Sequence, residues 1–186
     1  MENSRLARPV PVSCILASLL ALLILGCSAQ TRKSASCVYQ HPEKGVITAE
    51  NCIIRDESGQ MAIAEDHVRN LRFGKEGLAV VRAEPDGWMY VNRKGEVVVS
   101  DVPTMDNWAD DFNDGLVRVH RRNKWGFADK TGKIIIPLIY DCAMGFEDGV
   151  ARVCEGCKYE RVHDGEFRWM CKGGTWKRID TTGKAK

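Results

Sequence analysis

Beyond residue 30 the apolar positions of the chain recur with a period of two. Val117 and Val119 alternate with Arg118 and His120, Trp125 and Phe127 share one parity, and Ile134 to Ile136 form a β-branched run stopped by Pro137. Short alternating runs bounded by Gly and Pro predict short strands. Glycine stands where tight turns need a positive φ: Asp114-Gly115, Asp148-Gly149, Lys94-Gly95, Thr131-Gly132 and Thr182-Gly183. No segment past residue 30 carries a sustained 3.6-residue apolar period. The fold class expected is therefore all-β, built from short antiparallel strands behind an N-terminal helix.

The strands come in repeated phrases. Phe73-Gly74-Lys75-Glu76-Gly77-Leu78-Ala79-Val80-Val81 is echoed by Phe112 to Val119 and by Phe146 to Val153. A second phrase follows each, Trp88 to Gly95, Trp125 to Gly132 and Trp176 to Gly183, with Asn or Asp at its fifth position and Gly at its eighth. A degenerate copy begins at Cys52, where Asp56 and Gly59 keep that spacing. The phrases start at 52, 88, 125 and 176, so the intervals are 36, 37 and 51 residues. A period in the thirties points to stacked supersecondary units, and the long last interval implies an insertion of roughly fifteen residues. Counted from these starts, the units lie near 52–87, 88–124 and 125–175, with 176–186 a partial last one and the insertion at 154–171. Each unit is expected to hold about three strands and to bury its apolar face only against a neighbour. The repeat core is expected at Phe73, Trp88, Phe112, Trp125, Phe127, Tyr140, Phe146 and Trp176.

The pattern Phe-x-x-Gly-Leu-Ala-x-Val, then Trp-Gly-Phe-x-Asp-x-x-Gly-Lys-Ile-Ile-Ile-Pro, then Tyr-Asp resembles the WG β-repeat family, and Phe112 to Asp141 matches almost throughout. The resemblance runs from Cys52 to Lys184. Only Trp125-Gly126 is a literal WG pair; Trp88 precedes Met89, Trp176 precedes Lys177, and Cys52 replaces the first tryptophan. The family implies a repetitive β architecture in bacterial, often exported, proteins. It implies no reaction, because it has no common catalytic residue to carry over.

The N-terminus reads as an export signal. Arg5 and Arg8 precede an apolar run from Val12 to Leu25. Fourteen residues at 1.5 Å each reach about 21 Å, short of a hydrocarbon core about 30 Å thick. Ile24-Leu25-Gly26-Cys27 resembles the lipobox of bacterial lipoproteins, in which Cys27 takes the diacylglyceryl group. The organisation expected is a signal peptide over 1–26, a flexible tether over 27–40 and a repeat domain over 41–186. Two or more acyl chains such as palmitate hold a protein stably on a membrane. Ser28 stands where inner-membrane lipoproteins carry Asp, so by resemblance the outer membrane is the expected address in a diderm source.

Charge and composition narrow the partners. Over 186 residues, 27 Lys and Arg oppose 25 Asp and Glu for a net +2. Loss of Arg5, Arg8 and Glu2 with the signal leaves about +1. Such a balance gives no electrostatic footprint for nucleic acid. An apolar share of 44% fits neither a disordered polyelectrolyte nor a polytopic membrane protein.

Of eight cysteines, Cys14 leaves with the signal and Cys27 is the lipidation site, which leaves Cys37, Cys52, Cys142, Cys154, Cys157 and Cys171. Six free thiols outside the cytosol are unusual, so disulfides are expected. Cys37 with Cys52 is one plausible pair. If Val150 to Cys154 pairs with Phe167 to Cys171 in one enlarged hairpin, a bridge from Cys171 to Cys154 or Cys157 staples it. Either loop, at about fifteen residues, is worth about 3 kcal/mol in the chain-entropy model. Cys142 reads as an apolar filler. Cys154, Cys157, His163 and Cys171 have zinc-donor chemistry, but the second pair lacks short spacing. Asp106, Asp110, Asp111 and Asp114 fail the calcium-loop pattern and read mostly as turn formers. His41, His67, His120 and His163 are dispersed, and no nucleophile elbow or phosphate loop is present. No catalytic residue, metal or cofactor is expected.

Two functions from different classes follow. The first is a non-catalytic module, moored by its lipid, that binds an envelope protein or glycan, with Arg118, Arg121, Arg122 and Lys124 on the central hairpin as its partner surface. The alternative is an envelope hydrolase or metal-dependent enzyme with a composite site.

Overall fold

The computed structural model describes residues 34–163 and 167–186. The signal peptide, Cys27 and the start of the tether lie outside these residues, as does the His163 side chain. Among the described residues the chain forms sixteen strands and one helical turn, α1 (Glu65–Val68). The all-β expectation holds, and every strand pair is antiparallel.

Three strands make a unit. The first unit is β1 (Ser34–His41), β2 (Gly45–Arg55) and β3 (Met61–Ile63); the second is β4 (Ala79–Ala83), β5 (Gly87–Val91) and β6 (Val97–Val102). Pairing of β1 with β4 joins them into one six-stranded sheet, ordered β3-β2-β1-β4-β5-β6. A two-residue hairpin, β7 (Thr104–Met105) and β8 (Trp108–Ala109), leads to the third unit of β9 (Leu116–Arg121), β10 (Lys124–Asp129) and β11 (Ile134–Tyr140). The fourth sheet is β12 (Cys142–Ala143), β13 (Val150–Glu155) and β16 (Thr175–Asp180).

Three expectations are corrected here. Residues Ser34 to Gln40, read as tether, are strand: β1 pairs with β2 from Ser34 onward and with β4 from Cys37. Small polar residues look like linker, yet Cys37 and Tyr39 are buried among the core. Unit boundaries at 88 and 125 fall inside sheets, because the tryptophan opens the second strand of a unit and not the first. Finally, Val150 to Cys154 does not pair with Phe167 to Cys171. β13 pairs with β16, and the insertion forms its own hairpin of β14 (Lys158–His163) and β15 (Phe167–Lys172). Direct pairing of Cys154 with Trp176 restores the register of the other units and expels the inserted residues as a loop.

The repeated Asx-x-x-Gly phrase has a local cause. Asp129 Oδ1 accepts the backbone N–H groups of Thr131 at 2.8 Å and Lys133 at 3.1 Å, and the Thr131 hydroxyl at 2.6 Å. Gly132 then takes φ 86°, and a Cβ there would lie 2.2 Å from the Val98 carbonyl oxygen. Asp56 and Asp180 make the same turns, and Asn92 does so in the second unit. Hydrogen bonds from Ser58, Thr131 and Thr182 hold the carboxyls of Asp56, Asp129 and Asp180 below their ordinary range. A folded-state value below the unfolded one adds stability that is full above about pH 4 and lost as pH falls through the depressed values. Changing all three to Asn, the residue the second unit already uses, is expected to reduce the fall in melting temperature between pH 7 and pH 3. An unchanged fall would show that these turns do not carry it.

The middle sheets are covered on both faces. In β5, Met89 and Val91 enter a cluster with Cys37, Tyr39, Ile53 and Val81, whereas Trp88 and Tyr90 enter one with Phe112, Val117 and Val119. In β9 and β10, Leu116 and Phe127 face the other way, onto Phe146, Val153 and Ile179. Each sheet thus supplies one wall of two successive cores, as units that cannot bury their apolar faces alone require.

Candidate functional site

The expected core residues sit at these joints. Trp88, Phe112, Phe127, Tyr140 and Phe146 are buried, while Phe73, Trp125 and Trp176 are half-buried. Gly126 explains the literal WG pair in the third unit. A Cβ there would lie 2.5 Å from the Ile136 carbonyl oxygen and 2.8 Å from the Pro137 carbonyl carbon, so β11 crosses against bare backbone.

The expected basic surface is divided by the structure. Arg118 is corrected from exposed to buried: its Nε and Nη2 donate to Asp110 at 2.7 and 2.9 Å, and its Nη1 donates to the Ala143 carbonyl at 2.9 Å. Its guanidinium also lies 5.5 Å from the Trp125 ring centre. The alternation that placed Arg118 outside assumes one wet face, and β9 has none over Leu116 to Val119. Asp110, read as a turn former, is the buried partner of this ion pair. Arg121 pairs with Asp101 at 2.8 Å, and Lys124 with Asp141 at 2.6 Å. The Lys124 hydrogen bond and the Gly156 N–H keep the Asp141 carboxyl low. Arg122 is exposed in the turn at φ 52°. His120 stacks on Trp125 at 4.4 Å, and burial lowers its pKa against the pull of Asp101.

The cysteines fall into three sets. Cys37 is bridged to Cys52, and Cys157 to Cys171 at the base of the β14–β15 hairpin. Of the two partners left open for Cys171, the structure takes Cys157. Cys154 is a free, buried thiol directly across from Cys142 on β12, and burial pushes its pKa up. Among the described residues, no three His, Cys, Asp or Glu side chains are grouped to hold a metal ion. Asp114 spends its carboxylate on the Gly149 N–H at 2.8 Å.

The basic-patch reading misses a cleft of about 480 Å³ between the second unit and the segment from β8 to Asn113 that leads into the third. Its inner wall is Leu78, Val80, Tyr90, Trp108 and Phe112, and its mouth carries Arg72, Lys75, Glu76 and Asp111. Tyr90 and Phe112 meet edge to face at 4.8 Å, and the Tyr90 hydroxyl donates to the Asp110 carbonyl at 2.8 Å. Trp108 leans on Trp88 at 4.6 Å. Burial, with Asp111 and Asp110 nearby, drives the Tyr90 phenol upward, so it stays protonated as a donor. The combination of aromatic walls with charged groups at the rim is that of a ligand site. No nucleophile with an adjacent base lines it.

Trp125 begins the stretch that a family model recognises: the WG containing repeat matches residues 125–159. The chain contains a WG repeat. The match starts at β10 and extends through β11, β12 and β13 into β14. No curated protein and no solved structure matches the chain. The matched segment thus runs from the second strand of one sheet through the first two strands of the next, and the cleft lies one unit earlier.

Proposed function

We propose that this WG-repeat protein is an exported, lipid-anchored binding module without catalytic activity, which holds an envelope protein or glycan in the cleft between its second unit and the segment leading into the third. The observation that carries the reading is the cleft itself, with aromatic walls inside and four charged side chains at the mouth. Arg118 and Asp110, the groups nearest to a catalytic pair, satisfy one another. The lipobox-like Ile24 to Cys27 supports the membrane address, at the periplasmic face of the outer membrane in a diderm source.

The two halves of the proposal are tested separately. Metabolic labelling with palmitate is expected to mark the protein, and Cys27→Ser is expected to abolish both the label and sedimentation with membranes. A labelled Cys27→Ser protein would remove the anchor. For binding, a photocrosslinking residue placed at Lys75, on the cleft's mouth, is expected to give discrete adducts in intact cells. The same probe at Lys133, on the distant β10–β11 turn, is expected to give none. Equal patterns from the two positions would sink the cleft as the binding site.

A further inference from the structure

The fourth sheet carries cysteine at two places where the unit before it carries other residues. Counted from Phe112 and Phe146, Cys142 stands where Trp108 does and Cys154 where His120 does. The two places face each other. Cys142 on β12 and Cys154 on β13 are direct partners across an antiparallel ladder, so both side chains leave the same face of the sheet. They share one buried cluster with Cys157, against which Cys171 and Trp176 pack. The Cα atoms of such partners lie about 4.5–5.5 Å apart, inside the span of about 4.4–6.8 Å that a disulfide bridges. The bridges Cys37–Cys52 and Cys157–Cys171 span 5.6 and 5.5 Å. The Cys154 thiol donates only to backbone carbonyls, of Gly173 at 3.6 Å and Glu155 at 3.8 Å, which are weak bonds for a sulfur to give up. Burial chiefly, and the facing Cys142 sulfur in addition, push its pKa up, so the two sulfurs are within electrostatic reach. With the other four cysteines bridged, each of this pair has the other as its remaining partner.

We infer that Cys142 and Cys154 are an oxidisable pair that closes a third disulfide, strapping the edge strand β12 to β13, when the exported chain folds. The inference rests on the exported reading above and adds a modification site to it. The oxidant is a protein disulfide of the exported compartment. The Cys142 thiolate, its proton released to water, attacks one sulfur of that disulfide and expels the other as a thiolate. The Cys154 thiolate then attacks Cys142 Sγ, the mixed bond breaks, and the second sulfur of the oxidant leaves. Two electrons pass to the oxidant, and the two protons lost by the cysteines are taken up by its two thiolates. The exchange takes place before β12, a strand of two residues at the edge of its sheet, has docked. Afterwards Cys142 and Cys154 are 7% and 0% exposed, which shields the bond from reductants. Cys142 is then more than an apolar filler. It lies next to Ala143, whose carbonyl receives Arg118, so the bond fixes that acceptor at the joint with the third unit.

The test uses the full chain, expressed with its own signal, quenched in acid, unfolded and alkylated with N-ethylmaleimide without reductant. Trypsin followed by a protease that cuts after Glu155 separates Cys154 from Cys157, so each bridge is mapped by mass on its own. A peptide pair joined through Cys142 and Cys154 is expected beside the Cys37–Cys52 and Cys157–Cys171 pairs, with none of the six cysteines alkylated. Cys154→Ser is expected to make Cys142 alkylatable while the other two bridges persist. Alkylation of Cys142 and Cys154 in a protein whose other four cysteines are bridged overturns the inference and leaves the exported reading intact. A bridge from Cys142 to Cys157, to Cys171 or to a second copy of the chain overturns it in the same way. So does stoichiometric bound zinc with Cys142, Cys154, Cys157 and Cys171 all alkylated and Cys37–Cys52 intact. If all six cysteines are alkylated, the third bridge and the exported reading both fall.

Discussion

Arg118→Leu is expected to cost about 3–5 kcal/mol of stability, measured by urea denaturation, because it strands the Asp110 carboxylate in a buried site. Both partners are nearly excluded from water, at 7% and 6% side-chain exposure, and the pair is bidentate. The same substitution leaves the Ala143 carbonyl without its donor, so the link from the third unit to β12 is lost as well. Arg118→Lys is not conservative here, since one ammonium cannot make the two parallel bonds to Asp110. The double variant Asp110→Leu/Arg118→Leu removes both charges and is expected to recover much of the loss. Arg122→Ala, on the exposed turn of the same hairpin, serves as the contrast and is expected to stay within about 0.5 kcal/mol of the parent. If Arg118→Leu is equally mild, the ion pair does not hold the two units together.

Phe127→Ala is the second large effect expected, at about 3–5 kcal/mol. Phe127 is fully buried and meets Phe146 edge to face at 4.8 Å, so its ring bridges β10 to the segment before β13. Its cluster draws Leu116 and Ile136 from the third unit and Val153 and Ile179 from the fourth. Truncation opens a cavity at the seam between two sheets, where neither can close it without shifting its own hydrogen-bonded strands. Ile139→Ala on β11, where the side chain is 54% exposed, is expected to be nearly neutral. Similar losses for Phe127→Ala and Ile139→Ala would show that the seam contributes little beyond ordinary burial.

Both effects arise at joints between units, and so does the cleft.

Strands, turns and repeats were legible in the amino-acid order because each depends on near neighbours. Alternation over Val117 to His120 marks a strand, and the Asp129-x-x-Gly132 spacing marks a turn whose side chain bonds its own backbone. The pairing of Cys37 with Cys52 was open to the same reading, since both belong to one local hairpin. Three features needed the tertiary structure. Strand parity assigns one face to water, and Arg118 lies on a sheet with no wet face there, so its burial follows from the sheet stacked beyond it. Periodicity is silent about partners, so only the registry of Trp176 with Cys154 determines that β13 skips the inserted hairpin. The cleft is lined from β4, β5, β8 and the loops before β4 and β9, and a space among segments so far apart in the chain exists only once the fold has brought them face to face.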